Sequence, residues 1–232
     1  MTSGVPNLPD HVPALPLETR PAPPPDDPVA TQLRGFGPLG LLSILVIVLT
    51  SVVKPLGGLL VLLWAWRSHT PWRDIGYVRP RSWIGSLAVG VVLGCVFKLL
   101  MKAIVMPLLG APEINSAYHY VIGNRAALPG LVFTMIVGAG FGEETIFRGF
   151  LFERLGKLFG TGASAKVLIV LVTSAVFALG HYANLGLPGV EQAMITGLVF
   201  GAIFAVTGRI DLTAVAIIYW NLEAAVAHLV FK

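Results

Sequence analysis

Charge is what this chain has least of. Only 12% of its 232 residues are Asp, Glu, Lys or Arg, against about 25% in an ordinary soluble domain. Hydrophobic residues make up 55%, and the mean hydropathy is +0.79. A solvent-facing domain is excluded by this balance, and a polytopic membrane protein is expected. Cysteine is nearly absent too. Cys95 is alone in an apolar run, which rules out an intrachain disulfide and marks it as a small buried hydrophobe. No GxGxxG or Walker pattern occurs, because the glycines of GAGFGEE (138–144) have no lysine after them. The HExxH zinc helix is also missing. The net charge of +4, from 16 basic and 12 acidic residues, lacks the basic stripe and interleaved aromatics of a nucleic-acid binder. It serves instead to orient helices and meet anionic headgroups.

What remains is a succession of apolar runs. Residues 1–35 are rich in proline and acidic side chains and read as a disordered tail, without the basic start and apolar core of a signal peptide. Residues 36–66 hold two apolar runs split by Lys54-Pro55. They form either one membrane helix kinked at Pro55, the favoured form, or a span and a shorter second helix. Residues 67–82 are a basic connector, with Arg67, Arg73, Arg79 and Arg81 against Asp74, expected on the cytoplasmic side. Residues 83–232 form the core. Its spans are expected at 83–109, 128–159, 166–184, 189–206 and 212–231, with a polar loop containing Glu113 and His119 at 111–127. The fold expected is all-α, a transmembrane bundle of six helices, or seven if Pro55 separates two. Lys98 and Lys102 share a face and either snorkel or line a polar cavity. The end of the 128–159 helix, with Glu153, Arg154 and Lys157, is expected to lie amphipathically at the surface.

One stretch stands apart. Residues 138–155 place Glu143, Glu144 and Arg148 in an otherwise apolar run. On a helix Glu144 and Arg148 are four apart and can pair, while Glu143 points about 100° away. A structural clasp between helices needs one glutamate, not two. His181 follows on the next run, four residues after Phe177, and Tyr219, Asn221, Glu223 and His228 lie on the last. Carboxylates at membrane depth usually line a bundle interior or cavity. Two carboxylates and a histidine could therefore form a buried hydrolytic cluster.

Glu143-Glu144-x-x-x-Arg148, then Phe177-x-x-x-His181, then a last helix after a Thr207-Gly208 turn resembles the CPBP family. These are the CaaX-protease and bacteriocin-processing, or Abi, intramembrane enzymes. The segment at 72–76, WRDIG, resembles the stretch that precedes their core. The resemblance implies a metal-dependent endopeptidase in a bacterial plasma membrane, acting on membrane protein or peptide substrates. Glu143 would activate a water, and Glu144 and Arg148 would support the site. His181 would bind a divalent ion, Zn²⁺, or stabilise the tetrahedral intermediate. The third family motif, a histidine followed four residues later by asparagine or aspartate, falls on Tyr219 and Glu223 when counted from the turn. Tyr219 would then support the transition state and Glu223 would join His181 on the metal, with Asn221 and His228 as alternates. A catalytically degenerate adaptor or immunity protein and a small-solute transporter are the other classes consistent with these residues.

Overall fold

The computed structural model describes residues 27–111 and 123–230, with side chains of the last helix described as far as Asn221. The tail at 1–26, the loop residues Glu113 and His119, and the side chains of Glu223 and His228 lie outside the described residues. Every regular element among the described residues is helical.

Asp27 starts the first helix, α1 (Pro28–Arg34), by accepting hydrogen bonds from the Val29 and Ala30 amides at 3.0 and 3.1 Å. This is an N-cap built before a proline at the first helical position. After Gly35 the chain continues as α2 (Pro38–Leu49), a single turn at Thr50–Val52, and α3 (Lys54–Arg67). The stretch takes the broken form instead of a continuous helix kinked at Pro55. α3 folds back, because its Trp64 Nε1 donates to Leu33 O at 3.2 Å and Ser68 O accepts from Arg34 at 3.1 Å. Arg67 also reaches Asp27, at 2.5 Å. With about 1.5 Å of rise per residue, α2 and α3 are each shorter than the ~30 Å apolar layer of a bilayer. Together they make a hairpin with Lys54 at its tip.

α4 (Trp83–Leu108) is followed by α5 (Arg125–Phe159), α6 (Ala163–Leu179), α7 (Tyr182–Thr207) and α8 (Ile210–Val230). The expectation of six or seven spans is corrected here. Among the described residues three helices, α4, α5 and α7, are long and apolar enough to cross a membrane, and up to four if the bent α1–α2 pair is one broken span. The runs around Lys54 instead make a folded-back hairpin, and α6 has only 17 residues, short of the ~20 a span requires. The molecule remains an all-α integral membrane protein. Leu41, Leu42, Leu45 and Leu49 of α2 and Val92 and Val96 of α4 are exposed on its outside, where lipid replaces water.

Two apolar cores hold the helices. Ile47, Val61 and Trp64 of the hairpin pack with Ile146 and Phe150 of α5 and Phe177 of α6. Phe97 and Met101 of α4 pack with Phe200 of α7 and Ala216, Ile217 and Trp220 of α8. The end of α5 is amphipathic with Lys157 exposed, as expected, but two of the expected surface charges are buried: Arg154 is 1% exposed and Glu153 8%. Arg154 donates to the carbonyls of Leu33, Arg34 and Gly35 at 3.1, 2.8 and 3.3 Å and to Glu153 at 2.7 Å. It satisfies the carbonyl oxygens that α1 leaves unpaired at its C-terminus, so a long-range partner buries a charge that looked solvated.

Candidate active site

The middle of α5 is unusually wide. Residues Thr134–Glu143 and Thr145–Phe150 wind with i→i+5 hydrogen bonds, a geometry found mostly in short pieces and often at functional sites. It carries both glutamates and Arg148 into the interior. Glu144 is fully buried and accepts from Arg148 Nη1 at 2.7 Å, the local pair expected from the spacing. The guanidinium lies over the Phe177 ring, 4.9 Å from its centroid. Glu144 and Arg148 are thus enclosed between α5 and α6.

Glu143 faces elsewhere. Its Oε1 lies 2.5 Å from Lys54 Nζ and 3.9 Å from His181 Nε2. The other ring nitrogen of His181, Nδ1, is 2.8 Å from the Phe177 carbonyl oxygen. A carbonyl only accepts, so Nδ1 carries a proton in this bond, which fixes the ring with Nε2 on the Glu143 side. His181 stands at the bend between α6 and α7. A few residues on, Gly186 takes φ +63° ahead of Pro188 and lets α7 start in a new direction. Glu143, His181, Lys54, Gln192, Thr196 and Asn221 line a cavity of about 130 Å³, closed on its apolar side by Phe177, Ile217 and Trp220.

Of the residues singled out in the sequence, Glu143 and His181 therefore share one cavity, and Glu144 and Arg148 stand behind it. Tyr219 is not on the cavity wall; Ile217 and Asn221, four apart on α8, are. Asn221 Nδ2 donates to Ile217 O at 2.8 Å. The spacing of the third motif fits these two positions, with asparagine in its place and isoleucine where the histidine belongs. Counted back from Asn221 the motif falls on Ile217 and Asn221; counted forward from the Thr207-Gly208 turn it falls on Tyr219 and on Glu223, whose side chain lies outside the described residues. Lys54 was also missed as a site residue, although an ionisable side chain in an apolar run is itself a signal. Lys98 packs its ammonium 4.4 Å from the centroid of the Trp220 ring.

Residues 125–222 match the family model of the type II CAAX prenyl endopeptidase, Rce1-like. Over that segment the chain is similar to the Rce1-like CAAX protease family. The matched segment runs from the start of α5 to just past Asn221 and so contains both glutamates, Arg148, His181 and the 217/221 pair, but not Lys54. No curated protein and no solved structure matches the chain.

The donors present among the described residues do not make a site for a divalent ion of the kind the family resemblance implies. Among the described residues no three His, Cys, Asp or Glu side chains converge. The cavity offers Glu143 and His181, the third wall is the apolar Ile217, and the position against the Glu143 carboxylate is taken by an ammonium. Zinc sites normally use at least three protein ligands.

Proposed function

We propose that this membrane protein is an endopeptidase of the CAAX-protease type, cleaving membrane-associated protein or peptide substrates. The observation carrying the reading is that Glu143 and His181, on separate helices, meet with Asn221 at one cavity inside the bundle. In this reading Glu143 takes a proton from the attacking water while His181 Nε2 accepts a hydrogen bond from it and fixes its direction. The water oxygen bonds to the carbonyl carbon and the carbonyl pair moves onto its oxygen, where the Asn221 amide can donate. When the C–N bond breaks, Glu143 returns its proton to the leaving amine. Glu144 and Arg148 touch no substrate here; they fix the wide turn that aims Glu143.

Full-length protein in lipid vesicles, offered a farnesylated CaaX peptide and a set of unmodified apolar peptides, tests this. Glu143→Gln is expected to lower kcat at least about 100-fold, the scale of general-base catalysis, with His181→Ala showing a similar loss. Cleavage by Glu143→Gln at the wild-type rate would end the proposal. Ile217 in the histidine position favours a second reading, an adaptor that keeps the fold without hydrolysis. It predicts partner protection that survives Glu143→Gln.

A further inference from the structure

The positive charge in the cavity comes from outside the family segment. Lys54 opens α3 at the hairpin tip, whereas the family match begins at residue 125. A lysine at membrane depth is costly and is normally found paired. This one is delivered to a defined place. A Cβ at position 142 would collide with the Lys54 carbonyl oxygen, so glycine there lets the tip close on α5 next to Glu143. The ammonium then lies 2.5 Å from Glu143 Oε1, on the same cavity as His181 and Asn221. Ile217, on that cavity in the position of the family histidine, has no donor to offer. An oxygen becoming anionic needs fixed donors, and Lys54 adds a cationic one to the wall that Gln192, Thr196 and Asn221 share.

We infer that Lys54 is a catalytic residue of this site, donating to the substrate carbonyl oxygen as it becomes anionic, and that the site takes its cation from the chain itself instead of from a bound metal. The inference rests on the peptidase reading. An ammonium has three N–H groups, so it can hold Glu143 and the oxyanion together. It keeps its proton throughout. The proton removed from water goes to Glu143, the electron pair of the carbonyl goes to the oxygen facing Lys54, and it returns when the C–N bond breaks.

The test compares full-length wild type, Lys54→Met, Lys54→Arg, Glu143→Gln and Lys54→Met/Ile217→His in vesicles, with the same farnesylated and apolar peptides. Lys54→Met is expected to lower kcat about 100- to 1000-fold, with KM within about threefold. Lys54→Arg keeps the charge but displaces the donor and is expected to lose about tenfold in kcat. The double variant regains cleavage through the new histidine. Wild type is expected to purify without a stoichiometric divalent ion and to cleave after chelation. Glu143-dependent cleavage that is unchanged in Lys54→Met overturns the role of Lys54 and leaves the peptidase reading intact. A stoichiometric metal whose removal abolishes cleavage does the same. Absence of any Glu143-dependent cleavage in wild type overturns both. If Lys54→Met does not fold, Lys54→Arg decides, because a lysine that only held the helices together would leave kcat at the wild-type value.

Discussion

Helix α5 buries two acid–base clusters about three turns apart, and they are built for different ends. At its C-terminal end Arg154 spends its guanidinium on three carbonyls of the α1 terminus and on Glu153, and lies over the Trp64 and Phe36 rings. Lys157 holds the other Glu153 oxygen at 2.5 Å. Around Glu143 the same residue types sit beside about 130 Å³ of space, and the carboxylate is met by a lysine whose side chain is 37% exposed. Burial of charge is common to both regions. What marks out the second is room for a reactant and a cationic partner with N–H groups to spare, and these distinguish a reaction site from a fastening.

The comparison is sharpest in a pair of substitutions with opposite outcomes. Arg154→Met strips Glu153 of its buried partner and leaves three carbonyls unsatisfied, a loss of about 3–5 kcal/mol. It is expected to appear as a large fall in thermal unfolding temperature in detergent, with wild-type kcat in whatever fraction stays folded. Glu143→Gln should do the reverse, costing under about 1 kcal/mol because its partner is partly exposed, while cleavage is lost. If both variants lost stability equally, the distinction between the two clusters would fail.

Gly142→Ala tests the link between them, since it forces the hairpin tip away from α5. Overpacking of this kind costs about 1–3 kcal/mol. The expected sign is a fall in kcat larger than the stability loss explains, read from kinetics and thermal unfolding of the same preparation.

The smallest effect lies at the α1 entrance. Arg67 and the Ala30 amide hold the Asp27 carboxyl down to about 2, against about 3.9 for a free aspartate. A depressed carboxyl contributes stability above its unfolded value and loses it as the pH falls through the folded one. Amide exchange at Val29 and Ala30 should therefore quicken between about pH 4 and pH 2 in wild type. In Asp27→Asn, whose amide oxygen still caps the helix but does not titrate, the step should be absent. A step that persists in the variant would remove Asp27 as its source.

Composition and local spacing fixed a great deal of this molecule. A chain with long continuous apolar runs and few charges satisfies its backbone groups in a bilayer as helices, since barrel strands would alternate apolar with polar residues. Glu144 and Arg148, four apart, found each other because helix geometry alone puts them together. The motifs around Glu143 and His181 also carried the family resemblance, which residues 125–222 bear out. Tertiary structure decided the rest. Only the folding back of α3 brings Lys54 to Glu143, only the packing of α8 selects Ile217 and Asn221 over Tyr219, and only the docking of α1 turns Arg154 inward. These pairs lie tens of residues apart or more, and no helical period relates them. Hydropathy likewise records that a run avoids water, but not whether it crosses the bilayer or turns back within it, because lipid and a protein interior are equally apolar surroundings for a leucine.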